Sequence, residues 1–176
     1  MFESIKQKLA VNFIKRKYIS HHGKPVRFTS FAESALDFLV IMPEVDEDFK
    51  NSFLVSTFLL SKRKSVTMFI SEHRYSIIPE RERFRVLSFG PQQVTKMFLP
   101  DDALRNKLAQ KKFDVVLNLN RVNNVFLNSI PFIVDTNYRV GFKKGEFSDF
   151  LNLQVPLNEN NSKISYENLL NSLKMF

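Results

Sequence analysis

The amino-acid sequence predicts an α/β fold: a single Rossmann-like domain with a mostly parallel sheet of about six strands, helices on both faces and a basic helix at the N-terminus. Two observations predict this fold. Short apolar runs typical of buried strands alternate along the chain with amphipathic segments of helix length. The first apolar run, at residues 37–42, ends in a turn and leads into a helical pattern, which is the order of a βαβ unit. The chain has 176 residues, 44% of them apolar, so one domain can bury a core.

The first predicted element is a basic amphipathic helix over residues 2–18. Large apolar side chains recur there at helical spacing: Phe2, Ile5, Leu9 and Phe13. Turn-forming residues follow, and we therefore divide the chain into a helix with its linker, residues 1–27, and a Rossmann-like domain, residues 28–176. Residues 1–27 carry a net charge of +6, which is most of the +8 of the whole chain.

The basic residues of this helix are candidate contacts to a membrane or a partner: Lys6, Lys8, Lys15, Arg16 and Lys17. Three interpretations stay open. The helix could lie on an anionic membrane surface, with its apolar side chains in the interface. It could pack on its own domain, on a protein partner or on a second copy of the chain as a homo-oligomer. Nucleic acid is the least favoured partner, because no recognition motif accompanies the charge.

In the first half of the domain, the sequence predicts three strands, with a helix between the first and the second. Apolar runs predict strands at 37–42 and 66–70, and alternation that ends at Gly90 and Pro91 predicts a third strand at 85–89. A helix is expected at 48–60, because apolar residues recur at helical spacing and a run of three basic residues follows its end. Residues 72–83 are highly charged and predict no definite element.

The second half predicts further helices and strands in alternation. Acidic residues after Pro100 mark a helix start, and Lys111 and Lys112 mark its end. The remaining elements are expected as a strand at 113–117, a short helix at 123–129, strands at 131–134 and 151–155, and a final helix at 166–175.

The turn after the first strand is acidic and contains no glycine. Residues 44–48 include four carboxylates, so they cannot cradle a phosphate, which needs close backbone N–H groups and no like charge. Asp48 is a candidate general base; the alternative is a favourable charge at a helix N-terminus. Glu44, Asp46 and Asp48 alternate as cation ligands sometimes do, but the glycine and terminal Glu of a calcium loop are missing. We predict no metal and no cofactor.

Composition excludes several other kinds of site. Cysteine is absent, so the sequence contains no disulfide or thiolate site, and four glycines leave no phosphate-binding loop. His21, His22 and His73 are expected to be solvated or structural. No stretch approaches the roughly 20 apolar residues that span a bilayer, so we expect a cytoplasmic protein, with peripheral attachment to the inner membrane as an alternative.

The order of several short motifs resembles the heptosyltransferase-like glycosyltransferases (the ADP-heptose:lipopolysaccharide heptosyltransferase family). The motifs are the apolar strand at 38–41, Asp48 at the place of the family's acidic residue, the aromatic-Asp-apolar run at 113–119, and the Arg-apolar-Gly-Phe segment at 139–142. The resemblance covers roughly residues 37–156. Met42 stands where the family has Arg, and Glu47 where it has Gly.

The resemblance implies the N-terminal half of a bacterial two-domain GT-B enzyme, in which a second domain binds the sugar nucleotide. We expect this chain to lack that donor domain. The resemblance makes Asp48 the candidate catalytic base, with Glu44, Arg139 and Gly141 as candidate ligand-binding residues; Arg139 and Gly141 are expected in a turn. Three functions stay open: a non-catalytic glycosyltransferase-like domain that binds an acceptor or partner near the cell envelope, the active half of a two-chain glycosyltransferase, and a basic-helix module that binds anionic lipid or nucleic acid.

Overall fold

A computed structural model describes residues 2–19 and 34–175, with side chains described at 5–18 and 34–175. Its centre is a six-stranded sheet in which every pairing is parallel. The strands are β1 (Asp37–Ile41), β2 (Ser65–Ser71), β3 (Arg85–Phe89), β4 (Lys112–Asn118), β5 (Asp135–Phe142) and β6 (Leu153–Val155). Their order across the sheet is β3-β2-β1-β4-β5-β6. The predicted Rossmann-like fold is therefore confirmed, and the strand order reverses between β1 and β4.

Five α-helices lie within the described residues. They are α1 (Phe2–Ile14), α2 (Asp46–Ser61), α3 (Asp102–Ala109), α4 (Val125–Ile133) and α5 (Ser162–Lys174). One π-helical turn, Lys15–Ile19, continues α1. Short 3₁₀ turns occupy Glu72–Ile77, Arg81–Arg83, Pro91–Gln93 and Ser148–Phe150. The charged segment at 72–83 is thus a pair of tight turns between β2 and β3.

The helices cover both faces of the sheet, as predicted. Successive strand residues point to opposite faces, so Phe38 and Val40 enter one apolar core while Leu39 and Ile41 enter the other. The first core is closed by α2 and α5, and the second by α1, α3 and α4. A sheet buried on both faces explains why its central strands are continuous apolar runs.

Side-chain caps fix where three helices begin. Asp101, Asn124 and Asn161 each accept a hydrogen bond from the backbone N–H three residues ahead, at 2.8 to 3.0 Å. The start of α2 lacks such a cap, and three acidic residues occupy its first turn instead. Because Asn161 caps the final helix, α5 begins at Ser162, four residues earlier than predicted.

The predicted strand at 131–134 is wrong. Pro131 lies inside α4, which runs to Ile133, and the strand follows at Asp135–Phe142. A short apolar run is compatible with a buried helix as well as a strand, and periodicity does not separate them. The expected turn at Arg139 and Gly141 is also wrong, because both residues lie in β5.

The N-terminal helix packs through a face other than the predicted apolar stripe. Ala10, Val11 and Ile14 are buried in the core beneath α1, whereas Ile5, Leu9 and Phe13 are exposed. The predicted turn at 21–25 and the domain boundary after residue 27 lie outside the described residues. In the part of the chain that the structure describes, every helix is too short or too polar to cross a bilayer.

Candidate functional site

The carboxyl ends of β1 and β4 form the edge where a fold of this kind binds its ligands. Residues 42–45 leave β1 and enter α2, while residues 119–124 leave β4 and enter α4. The backbone N–H of Leu119 donates to the carbonyl of Ile41 at 3.0 Å, so the two strands stay in register beyond their ends. The surface formed by these two connections is the candidate site, called the switch edge below.

Asp48 lies at the switch edge but is closed in by protein groups. Only 2% of the surface of Asp48 is exposed. Its Oδ1 accepts hydrogen bonds from Arg121 Nη1 at 2.8 Å and from the Ser162 hydroxyl at 2.6 Å. Arg121 also donates through Nη2 to the carbonyls of Asn158 and Glu159, at 2.6 and 2.9 Å. Asp48 therefore joins α2, the loop after β4 and the start of α5.

Two titratable side chains flank this ion pair. The Tyr166 hydroxyl donates to the carbonyl of Leu119 at 2.7 Å, and burial together with the Asp48 carboxylate raises the pKa of Tyr166 well above its usual range. Lys144 donates through Nζ to the carbonyl of Asn120. Desolvation lowers the pKa of Lys144 to about 7, although the Asp48 carboxylate acts in the opposite direction. Lys144 thus brings an amine that titrates near neutral pH to the switch edge.

A chain of asparagine amides connects the interior to the surface at the same edge. Asn118 Nδ2 donates to Asn128 Oδ1, and Asn128 Nδ2 donates to Asn123 Oδ1, both at 2.9 Å. The backbone and side-chain N–H groups of Asn120 both donate to Asn118 Oδ1, at 3.1 and 3.0 Å. The exposed side chain of Asn123 is the last member of this hydrogen-bonded series. Sequence reasoning missed this network; its signal is the five asparagines between positions 118 and 128.

The acidic residues after β1 do not converge. Glu44 is exposed, and its Oε2 lies 3.3 Å from Asn124 Nδ2. Asp46 pairs with Arg74 at 2.7 Å, and the hydrogen bond and charge of Arg74 lower the pKa of Asp46. Arg74 also donates to the carbonyl of Glu44. Asp48 faces Arg121 instead. Within residues 2–19 and 34–175, no three potential metal ligands cluster.

An open groove adjoins the switch edge on the side of β2. Its volume is about 560 Å³. The guanidinium of Arg74 lies 4.9 Å from the centre of the Phe49 ring, at one wall of the groove. The lining residues are Asp46, Phe49, Lys50, Phe53, Arg74, Ile77 and Pro79. The groove therefore combines an ion pair with a mostly apolar wall.

Arg139 and Gly141 lie in β5, next to β4, whose carboxyl end is part of the switch edge. Arg139 is buried, and its Nε donates to the carbonyl of Pro131 at 2.7 Å, near the C-terminus of α4. Burial lowers the pKa of Arg139 to about 10. Gly141 lies opposite Asn118 in the sheet, and a Cβ there would be 3.1 Å from the Asn118 carbonyl. In this structure both residues contact protein groups.

The basic residues of α1 and its π-helical turn separate into two sets. Lys15 is tied to the domain, because its Nζ lies 3.0 Å from Glu146 Oε2 and 5.4 Å from the Phe150 ring. Lys8, Arg16 and Lys17 are exposed and Lys6 is half-buried. A cleft of about 150 Å³ lies between α1, the loop after β4 and the loop after β5, lined by Gln7, Lys8, Val11, Asn123, Val125, Glu146 and Phe147.

Two of the three histidines, His21 and His22, lie outside the described residues. His73 is exposed, and its Nδ1 is 2.7 Å from the Ser71 hydroxyl. His73 follows the end of β2. The hydrogen-bond partners of Asp48 are Arg121 and Ser162. The contacts described for His73 therefore do not link it to Asp48.

No protein-family model matches the chain, and no curated protein matches it. Its class therefore rests on its own geometry. The all-parallel sheet, the reversal of strand order between β1 and β4 and the polar switch edge define a single Rossmann-like α/β domain.

Proposed function

We propose that the chain is a glycosyltransferase-like domain that binds the sugar part of an acceptor at the switch edge and does not transfer a sugar by itself. The order of its motifs supports the glycosyltransferase-like class, since the apolar strand, Asp48 and the run at 113–119 follow the pattern of heptosyltransferases. The fold supports a ligand at this edge. Binding and catalysis are assigned separately, because the candidate base Asp48 is enclosed by protein groups.

The observation that carries the proposal is the environment of Asp48. A general base must come within hydrogen-bond distance of the hydroxyl that it deprotonates. Asp48 is 2% exposed, and its Oδ1 already accepts from Arg121 and Ser162. An acceptor hydroxyl at the surface of the edge does not reach this carboxylate unless the ion pair opens. Asp48 in this arrangement stabilises the edge instead of removing a proton.

The accessible groups at the switch edge suit a neutral, hydroxyl-rich ligand. Glu44 and Asn123 are exposed, so the Glu44 carboxylate offers an acceptor and Asn123 Nδ2 a donor for sugar hydroxyls. The half-buried Asn124 side chain contacts Glu44 through its Nδ2. Asp46 and Glu47 are exposed at the N-terminus of α2, where they would repel a diphosphate. The groove beside Phe49 and Ile77 offers an apolar wall for the rest of an acceptor.

Calorimetric titration tests this function with two probes, a heptose disaccharide and ADP-glucose. We expect the disaccharide to bind and ADP-glucose to give no measurable heat. Glu44→Gln should weaken disaccharide binding about tenfold, because a hydrogen bond to a charged acceptor contributes about 1–1.5 kcal/mol more than one to a neutral acceptor. Glu47→Gln is the matched control, since Glu47 is an exposed neighbour at the same helix end. Equal weakening by both changes, or no disaccharide binding, would contradict the proposal.

Turnover tests whether the chain transfers a sugar by itself. The chain incubated with ADP-glucose and the disaccharide should release no ADP above the uncatalysed rate. Release of ADP that is lost in Asp48→Asn would show that Asp48 acts as a base and would overturn the non-catalytic assignment. Circular dichroism of Asp48→Asn would show whether that loss reflects chemistry or unfolding.

A further inference from the structure

We infer that α1 and its π-helical turn dock the protein on an anionic membrane surface. The docking face consists of six exposed residues: Ile5, Lys8, Leu9, Phe13, Arg16 and Lys17. This inference goes beyond the proposed sugar binding and does not depend on it. It rests on which face of α1 is buried, which side chains the other face presents, and what charge surrounds them.

The helix lies along the domain with one side buried. Ala10 and Ile14 have no exposed surface and Val11 has 6%, because they pack into the core beside α4. The opposite side presents Ile5 and Leu9, each 52% exposed, and Phe13, 38% exposed. These three residues are four apart in sequence, so they follow one line along the outside of the helix. Large apolar side chains aligned at a surface indicate an interaction site.

Two basic side chains lie over Phe13, at the C-terminal end of the apolar line. Lys17 Nζ lies 5.5 Å from the centre of the Phe13 ring, and the guanidinium of Arg105 in α3 lies 5.7 Å from it. An open groove of about 490 Å³ runs over this face, lined by Leu9, Asn12, Phe13, Arg16 and Lys17. The lining of that groove includes no acidic residue. Apolar side chains between basic ones are what an interfacial helix presents to acyl chains and anionic head groups.

A lipid surface fits this face better than the other partners do. A symmetric contact between two copies would bring the basic cluster of Lys8, Arg16 and Lys17 in one copy against the same cluster in the other. Like charges would repel there. Nucleic acid would meet the cations but would leave Ile5, Leu9 and Phe13 without an apolar partner. An anionic membrane satisfies both sets of side chains at once.

Docking through this face would bring the switch edge close to the membrane. The cleft beside α1 is lined by Lys8 of the docking face, by Asn123 of the switch edge and by Glu146 of the loop after β5. The N-terminal half of α1 is therefore a neighbour of those loops. A ligand presented at the head-group layer would lie near the sugar-binding residues proposed above.

Vesicle co-sedimentation of the full chain tests the inference. The probes are vesicles of phosphatidylcholine and vesicles of phosphatidylcholine mixed with phosphatidylglycerol. We expect binding to the anionic vesicles and little to the neutral ones. Lys8→Gln together with Lys17→Gln should lower the partition coefficient about 30-fold, because each basic residue contributes about 1 kcal/mol near an anionic surface. Equal binding to both kinds of vesicle, or no loss in this variant, would overturn the inference.

A second variant and a control separate lipid binding from unfolding and from self-association. Leu9→Ser together with Phe13→Ser should lower the partition coefficient while leaving the circular dichroism spectrum unchanged, since both side chains are exposed. Lys163→Gln together with Lys174→Gln removes the same charge from α5 on the other face of the sheet and should leave binding unchanged. Light scattering that shows a dimer lost in the Leu9 and Phe13 variant would assign the face to a second copy. Salt-sensitive retention on nucleic acid without vesicle binding would also overturn the inference.

Discussion

Asp48 and Arg121 form a buried ion pair across 73 residues of sequence, with Oδ1 and Nη1 2.8 Å apart. Their side chains are 3% and 13% exposed. The pair lies at the point where the strand order reverses, and the Ser162 hydroxyl completes it from α5. Asp48, which the sequence offers as a candidate catalytic base, is therefore also a link between three segments of the fold.

The ion pair predicts a strong asymmetry between single and double changes. Arg121→Met should lower the free energy of unfolding by about 3–5 kcal/mol, because it leaves the Asp48 carboxylate buried with one hydroxyl partner. Urea denaturation measures the effect. Arg83→Met is the control, since Arg83 is exposed and its pair with Glu80 is at the surface. The double variant Asp48→Asn, Arg121→Met should recover much of the loss; a loss under about 1 kcal/mol in Arg121→Met would contradict the buried-pair account.

Lys144 predicts a pH dependence of stability. Its pKa is about 7 in the folded chain against an ordinary value of 10.5, so the unfolded chain binds more protons between these values. The contribution of Lys144 to the free energy of unfolding should therefore rise as the pH increases from about 7 toward 10.5. Urea denaturation at pH 7 and pH 9 compares the chain with Lys144→Met, which should lack this rise.

An NMR titration of the Lys144 side chain checks the same assignment directly. The resonance should change near neutral pH. Asp48→Asn should shift the midpoint downward, because the Asp48 carboxylate favours the charged amine. A midpoint near 10.5 would show that Lys144 is solvated and would remove the predicted pH dependence.

Tyr166→Phe tests the hydrogen bond that holds α5 to the end of β4. The hydroxyl donates to the Leu119 carbonyl at 2.7 Å and the residue is fully buried. Its loss leaves a buried carbonyl without this donor, and we expect the free energy of unfolding to fall by about 1–3 kcal/mol. Tyr75→Phe serves as the comparison because Tyr75 is 42% exposed, and it should change stability by less than about 0.5 kcal/mol. Equal effects in the two variants would refute the role given to Tyr166.

Gly141→Ala tests the close approach of β4 and β5. A Cβ at this position would lie 3.1 Å from the Asn118 carbonyl oxygen and 3.2 Å from Leu151 Cδ1. The carbonyl belongs to a paired strand and cannot easily move, so we expect a loss of about 1–3 kcal/mol in thermal or urea denaturation. Gly145→Ala adds a different cause, the left-handed backbone at φ +55°, together with a Cβ 2.8 Å from Asn123 Nδ2, and should cost at least about 1 kcal/mol. Unchanged stability in Gly141→Ala would mean that the sheet adjusts freely.

The central strands were predictable because burial on both faces makes each one a continuous apolar run. The strand predictions at 66–70 and 113–117 differ from β2 and β4, respectively, by one residue at each end. The failure at 131–134 has the same origin: Pro131 to Val134 are all buried, and burial on every side does not distinguish a helix from a strand. The capping side chain of Asn124 and the backbone partners of β5 decide that case.

The sequence by itself determined the fold class, the positions of most strands, the basic charge of the N-terminal helix and the absence of a phosphate loop after β1, because these depend on patterns between neighbouring residues. The tertiary structure decided the partners of Asp48, the amide chain from Asn118 to Asn123, and which face of α1 stays exposed. These features join residues that lie on different elements or compete for the same core. Their contacts depend on how the helices pack on the sheet, and no local spacing encodes that packing.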